Sequence, residues 1–139
     1  MPVLRAFFDT NILVYAFSIH DPRRETALGL LGAGGTVGVQ TLNEFVNVLT
    51  GKLKTSWLDT MSWLDDIQEV CPPPVPLTLN VHTQGLRIAR ATGYHIYDSM
   101  MLAAALEAEC TVFYSEDMRD GQVIDGLTIR NPFRKHRLH

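Results

Sequence analysis

Four carboxylates are the side chains of this sequence whose positions best suggest chemistry. Asp9 and Asp117 each follow a short apolar run typical of a buried strand, whereas Glu44 and Asp98 lie in segments with the apolar spacing of helices. Each also has an ordinary interpretation. Asp9 and Asp98 suit helix N-caps. Glu44 fits a capping box, and Asp117 fits a turn. Taken singly, none of the four identifies a site.

The elements that must position these acids alternate along the chain. Strands separated by helices indicate a mostly parallel sheet covered by helices on both faces, which is an α/β fold with three layers. In the helix after Ser56, the spacing predicts Leu58, Met61, Leu64 and Ile67 on the inward side. The pattern predicts strands over 3–8, 36–40, 111–114 and 127–129, and helices over 12–17, 21–31, 42–53, 56–69, 79–92 and 98–109.

The acids fall where such a sheet usually binds ligands, at the carboxyl ends of its strands. Asp9 comes directly after the first predicted strand, and Asp117 directly after the third. Glu44 is predicted in the first turn of the helix after the second strand. Asp98 opens the helix that leads into the third strand. We therefore expect all four at one edge of the sheet.

Four carboxylates at one edge would repel each other strongly without a counter-charge. Hard oxygen ligands favour Mg²⁺ or Mn²⁺, so the pattern predicts a site for such an ion. Zinc is disfavoured because no His or Cys pair has the spacing of zinc ligands. We interpret His20, His82 and His95 as surface or packing residues.

Composition sets wider bounds on the chain. With 139 residues, 46% of them apolar, it is expected to form a single globular domain over 1–139. No apolar run is long enough to span a membrane, and two cysteines suggest no disulfide framework, so a cytoplasmic protein is expected. A net charge of −3 does not itself favour nucleic-acid binding. Basic residues nevertheless crowd the segment 130–139, namely Arg130, Arg134, Lys135 and Arg137.

Several blocks of the sequence together resemble a known family. The chain is similar, over about residues 4 to 133, to PIN-domain nucleases, and most similar to the toxin ribonucleases of the VapBC type. The resemblance rests on Phe8-Asp9-Thr10-Asn11-Ile12-Leu13-Val14-Tyr15, Asn43-Glu44-Phe45, Ile96-Tyr97-Asp98-Ser99 with the helix ending Ala108-Glu109-Cys110, and Tyr114-Ser115-Glu116-Asp117-Met118.

That resemblance implies roles for individual residues. Asp9, Glu44, Asp98 and Asp117 match the family's metal-binding quartet. Asn11 matches an Asn that braces the first Asp, and Ser115 matches a Ser or Thr that orients a carboxylate, water or phosphate. Glu116 and Asp120 are close enough in sequence to replace or supplement Asp117.

The same resemblance implies that the protein hydrolyses RNA with Mg²⁺ or Mn²⁺, leaving 5′-phosphate and 3′-hydroxyl ends. It also implies a small antitoxin partner and a homodimer. Apolar residues such as Phe17, Trp57 and Trp63 could form the dimer contacts or could all be core residues. The basic residues from Arg130 onward are candidates for holding flanking phosphates.

Two other functions are compatible with acids at strand ends. A Mg²⁺-dependent phosphatase or phospho-acceptor domain shares that placement, but the first block lacks the Asp-x-Asp-x-Thr pattern and no Lys follows the third strand. A non-catalytic module that only binds a partner protein is the second alternative. The complete quartet argues against it.

Overall fold

The computed structural model describes residues 5–133. Within them one strand is followed by all the helices and then by three more strands, so the predicted alternation of strands and helices along the chain is wrong, because no strand forms over 36–40. The helices predicted over 79–92 and 98–109 and the strand predicted over 111–114 lie within two residues of their predicted positions. The elements are β1 Ala6–Phe8, α1 Thr10–Ala16, α2 Arg24–Ala33, α3 Val39–Asn47, a π-helix Val48–Lys52, α4 Trp57–Val70, α5 Leu79–Thr92, α6 Ile96–Glu107, β2 Val112–Tyr114, β3 Val123–Ile124 and β4 Leu127–Arg130.

A four-stranded sheet in the order β1-β2-β4-β3 forms the central layer. The pairs β1–β2 and β2–β4 are parallel, and only the short β3 runs antiparallel, against β4. The mostly parallel sheet confirms the predicted fold class. The strand β3 was not predicted because two residues carry too little pattern to recognise.

Helices cover both faces of the sheet, which makes the three layers. The alternation of side chains along β1 shows this directly, since neighbouring residues of a strand point to opposite faces. Phe8 packs in a buried cluster with residues of α1, α2, α3 and α4. Phe7 packs in a second cluster with residues of α5, α6 and β4. Both phenylalanines are fully buried.

The predicted strand 36–40 is wrong in its extent. Only two isolated bridges form there, Thr36 with Phe7 and Gly38 with Val75, and α3 already begins at Val39. The hydroxyl of Thr41 accepts a hydrogen bond from the Gly38 N–H at 3.1 Å, which closes the first turn. The earlier start of α3 moves Glu44 into its second turn, so the predicted first-turn position and capping box are both wrong.

The predicted inward face of α4 is also wrong in part. Its N-cap is Ser56, as predicted, but Leu58 is 81% exposed and Met61 is 52% exposed. Thr60 and Ile67 are the buried residues of this helix, with Trp63 and Leu64 partly buried beside them. The side of α4 that packs on the core thus contains Thr60, Trp63, Leu64 and Ile67, whereas Leu58 and Met61 face away from it.

Two further sequence expectations concern termini and membranes. Residues 3 and 4 of the first predicted strand, and Arg134, Lys135 and Arg137 of the basic segment, lie outside the described residues. No helix in the range 5–133 is long and apolar enough to cross a membrane.

Candidate active site

The strand register brings two of the predicted site residues together. Phe8 is paired with Tyr114 in the parallel β1–β2 ladder, and the Asp9 N–H continues it by donating to the Tyr114 carbonyl at 2.9 Å. The next residue of each strand therefore lies at the same edge. There the Ser115 hydroxyl donates a hydrogen bond of 2.6 Å to Oδ2 of Asp9.

Asp9 serves both the helix cap and the site. Its Oδ1 accepts the Thr10 N–H at 2.6 Å, which caps α1. Its Oδ2 accepts from Ser115 and, at 3.5 Å, from the side-chain amide of Asn11. The capping interpretation and the functional one are thus compatible, because each uses a different oxygen.

Asn11 links Asp9, two residues before it, to Asp117, which lies 106 positions after it in the sequence. The same amide nitrogen that contacts Asp9 donates to Oδ2 of Asp117 at 3.1 Å. The Asp117 N–H in turn donates to the Ser115 hydroxyl at 3.2 Å. Asn11 and Ser115 therefore hold two carboxylates in one network, which is the bracing position predicted for both.

Glu44 and Asp98 face the same space from two helices. Oε2 of Glu44 accepts a hydrogen bond of 3.4 Å from the Thr10 hydroxyl. Asp98 is the third residue of α6, whose N-cap is His95, so Asp98 is not the cap that its position suggested. Both carboxylates line one cavity of about 340 Å³ together with Asp9, Asn11 and Asp117. All four predicted acids therefore share a single pocket.

Burial and mutual repulsion raise the pKa of three of these carboxyls, namely Asp9, Glu44 and Asp98. Asp9 is almost wholly buried, and burial, with the charges of Asp98 and Asp117 adding to it, raises its pKa to about 7 despite the Ser115 hydrogen bond. Burial also raises the pKa of Glu44 and of Asp98, with Asp98 and Asp117 respectively contributing as neighbouring charges. The pocket therefore concentrates negative charge that a cation would stabilise.

Glu116 belongs to a different cluster that the sequence did not reveal. Its Oε1 lies 2.8 Å from Nη1 of Arg23 and accepts the Tyr15 hydroxyl at 2.5 Å. Arg23 also pairs with Asp21 at 2.8 Å and stacks 3.7 Å above the Tyr15 ring. Burial and Glu116 raise the pKa of Tyr15. The predicted helix cap Asp21 instead anchors this arginine, and α2 begins later, at Arg24.

The remaining predicted site residues lie outside the pocket lining. Oδ1 of Asp120 accepts the Asn131 N–H at 2.9 Å, so this acid holds the turn after β4. Arg130 is exposed at the carboxyl end of β4, opposite Tyr114, and therefore at the same sheet edge as the acids. Glu116 and Asp120 thus have structural partners, which leaves Asp117 as the acid of this loop that lines the pocket.

The donor chemistry of the pocket fits a hard divalent cation. Within residues 5–133, no three Asp, Glu, His or Cys side chains stand in the arrangement of a formed metal site. The carboxylates nevertheless share one cavity and interact electrostatically, as the raised pKa of Asp9 shows. An oxygen-only set of this kind suits Mg²⁺ or Mn²⁺ rather than zinc.

The fold and the site together define the class, which is that of α/β proteins with a carboxylate-lined pocket at the carboxyl edge of a mostly parallel sheet. Within that class, the family model described as "PIN domain" matches residues 6–122. The chain belongs to the PIN domain family, which confirms the resemblance read from the sequence blocks. A comparison with curated proteins finds no significant match.

Solved structures share the fold at low sequence identity. A toxin–antitoxin complex from Klebsiella pneumoniae is 21% identical with a TM-score of 0.66, over 91% of this chain and 97% of that one. DNA-bound VapBC from Salmonella typhimurium is 15% identical with a TM-score of 0.67, over 94% and 99%. The sarcin–ricin loop cleaving toxin VapC20 from Mycobacterium tuberculosis is 16% identical with a TM-score of 0.64, over 78% and 86%.

Proposed function

We propose that this protein is a metal-dependent endoribonuclease whose metal-binding residues are Asp9, Glu44, Asp98 and Asp117. The observation that carries the proposal is the shared pocket, in which a buried Asp9 with a pKa near 7 stands beside three further carboxylates. Such a cluster is costly for a fold unless a cation occupies it. The family membership and the cleaving activity named for VapC20 support the nuclease assignment.

The chain's own groups have separate tasks in this reaction. Asp9 and Asp117, held by Asn11 and Ser115, would present fixed oxygens, whereas Glu44 and Asp98 would complete the ligand set from the helices. When bound, a divalent cation lowers the pKa of water and neutralises charge on the phosphoryl oxygens. In-line attack at phosphorus would leave a 5′-phosphate and a 3′-hydroxyl, and one carboxylate would accept the proton of the attacking water.

We further propose that the protein is the toxin of a toxin–antitoxin pair. Structures similar to this chain over nearly its whole length are described as toxin–antitoxin complexes. A small antitoxin is therefore the expected partner, and an adjacent reading frame encoding a short DNA-binding protein would support the assignment. Arg130 and the basic residues after it are proposed to hold flanking phosphates of the RNA.

A homodimer is also proposed, and the structure narrows its candidate contacts. Trp63 and Phe17 stack on each other with ring centroids 5.1 Å apart and pack against the core. Trp57, by contrast, is 64% exposed. Of the three candidate aromatic residues, Trp57 is thus the most accessible to a second subunit.

The proposed function is tested by cleavage of total cellular RNA with Mn²⁺, with Mg²⁺ and with excess EDTA. We expect cleavage only with metal, and Asp9→Asn and Asp98→Asn should each lower its rate by at least about 100-fold, because each removes a charged ligand. Asp66→Asn on the exposed face of α4 is the matched control and should cleave like wild type. Enzymatic labelling of the new ends should find phosphate on the 5′ side.

Other outcomes would favour the alternatives. Release of inorganic phosphate from a small phosphoester, with RNA left intact, would support a phosphatase. Undiminished cleavage or cell toxicity by Asp9→Asn would refute the assigned site and favour a protein-interaction role.

A further inference from the structure

The candidate active site must attract a polyanion although four carboxylates line it. Among the described residues that line the pocket, one carries a basic side chain, and that residue is Lys52. It comes from the π-helix that follows α3, eight residues beyond Glu44. The composition and motifs of the sequence do not single it out, since Lys52 and Lys54 look alike there.

The π-helix accounts for the position of Lys52. In a continuous α-helix, residues eight apart are rotated by about 80° from each other around the axis. A π turn contains more residues than an α turn and so rotates less per residue, which cancels much of that offset. Glu44, Val48 and Lys52 consequently line the same pocket, one above the other. Single π turns within helices occur frequently at functional sites.

The charge of Lys52 is available to a ligand. Within residues 5–133, no carboxylate lies within 4.0 Å of its ammonium group as an ion pair, and its side chain is exposed. Arg23, which stacks on the pocket-lining Tyr15, is already paired with Asp21 and Glu116. An unpaired ammonium at the rim of an acidic pocket suits a phosphate that enters beside the carboxylates.

We propose that Lys52 binds a backbone phosphate of the RNA strand next to the one that is cleaved. This inference rests on the proposed nuclease function and identifies a substrate-binding residue for the same pocket. The π-helix presents the ammonium in the same pocket as the carboxylates, so that one strand contacts both a protein cation and the metal-binding acids. The role is positional and electrostatic, because Lys52 donates hydrogen bonds to phosphate and takes no part in proton transfer.

The test measures the salt dependence of RNA binding. A short fluorescein-labelled single-stranded RNA is titrated by anisotropy with Ca²⁺ in place of Mg²⁺, and a gel checks that the strand stays intact. Each lost phosphate contact on a single strand lowers the slope of log K against log salt by about 0.7. Lys52→Ala should show that change and bind about tenfold more weakly. Lys52→Arg should keep the slope.

Lys54→Ala is the matched control, because Lys54 is equally exposed, lies two residues away and does not line the pocket. It should keep the wild-type slope. In steady-state cleavage, Lys52→Ala should raise KM with kcat nearly unchanged, which is the signature of lost ground-state binding. Equal effects of Lys52→Ala and Lys54→Ala would overturn the proposal. A melting temperature that falls in both Lys52→Ala and Lys52→Arg would also overturn it.

Failure of this inference and failure of the proposed function give different results. If wild type cleaves no RNA but its binding slope depends on Lys52, the phosphate contact stands and the nuclease assignment fails. If wild type cleaves RNA and Lys52→Ala matches wild type in KM and slope, the assignment stands and the role of Lys52 is refuted.

Discussion

At the scale of single residues, Asp9 connects the helix cap, the acidic pocket and the stability of the fold. Its two oxygens accept hydrogen bonds from Thr10 and Ser115, which keep the carboxyl in place, and burial opposes its ionisation. Hydrogen bonds thus fix the position of the carboxyl, whereas burial raises the free energy of its ionised form. This combination is common where function, rather than stability, selects a residue.

The first prediction follows from the raised pKa of Asp9. Because this pKa is about 7 in the folded protein and 3.8 in the reference state, the folded state holds the proton more tightly. The stabilising contribution is complete below about pH 4 and is lost as pH rises through about 7. In EDTA, this carboxyl should lower the free energy of unfolding by on the order of 4 kcal/mol between about pH 4 and about pH 8.

Urea unfolding across that pH range checks the expectation. Asp9→Asn should remove most of the decline, whereas Asp66→Asn, an exposed control, should follow wild type. Added Mg²⁺ should restore wild-type stability most at the alkaline end. Parallel pH curves for wild type and Asp9→Asn would contradict the prediction.

The second prediction concerns the ion pair of Arg23 and Glu116. Their side chains are only 30% and 13% exposed, so removing one charge leaves the other partly buried. Arg23→Ala should lower the free energy of unfolding by about 2 kcal/mol, and a double-mutant cycle with Glu116→Gln should give a coupling of about 1 kcal/mol or more.

A pair of the same charges on the surface is the control for that cycle. Arg87 and Asp125 are 3.8 Å apart and each 66% exposed, so their coupling should be below about 0.5 kcal/mol. Equal coupling in the two cycles would show that the Arg23 cluster adds nothing beyond an ordinary surface pair. Chemical denaturation of the single and double variants provides all the required values.

At the scale of elements, the pairing of α5 with α6 depends on a glycine. A Cβ added at Gly85 would meet Sδ of Met100 at 2.8 Å and its Cα at 3.2 Å. The two helices approach closely because position 85 has no side chain. This packing holds α6, whose first turn carries Asp98, against the sheet.

The third prediction is that Gly85→Ala destabilises the protein by about 1–3 kcal/mol, because overpacking forces the two helices apart. Gly29→Ala is the control, since nothing lies within 4 Å of a Cβ built at Gly29 in α2. That change should stabilise by about 0.5–1 kcal/mol through helix propensity alone. Thermal unfolding distinguishes the two, and a loss of stability in both variants would refute the packing argument.

At the scale of the whole molecule, several exposed apolar side chains lie at and just before the start of α4. The residues that follow the π-helix and open α4 expose large apolar side chains rather than the charged ones expected of a solvated helix. We call this the α4 apolar face, and it consists of Leu53, Trp57, Leu58 and Met61. Contiguous exposed apolar residues usually mark an interface.

The fourth prediction assigns this face to a second copy of the chain, in keeping with the proposed homodimer. Trp57→Ser combined with Leu58→Ser should shift sedimentation from dimer to monomer, because the contact loses its largest apolar groups. Val123→Ser, at an exposed apolar residue of β3, is the control and should not change the mass. A wild-type monomer, or a double variant that remains dimeric, would refute the assignment and leave the face to another partner.

The sequence by itself determined the fold class and indicated the four acids that line the pocket. Strand and helix periods are local properties, and parallel strands bring their carboxyl ends to one edge, so Asp9 and Asp117 could be placed together before any coordinates. The predicted positions of two helices added Glu44 and Asp98, the resemblance to PIN domains matched all four to a metal-binding quartet, and all four line one cavity. The roles implied for Asn11 and Ser115 stay predictions, although both side chains contact Asp9.

Only the tertiary structure decided which acids belong elsewhere and which base joins the site. Glu116 pairs with Arg23 and Asp120 holds a turn, although both lie within three residues of Asp117 in sequence. Lys52 lines the pocket because a π turn follows α3, and no local sequence pattern predicts that turn. The physical reason is the same in these cases. Local periodicity predicts helices and strands, but residues distant in sequence decide which contact a long charged side chain makes.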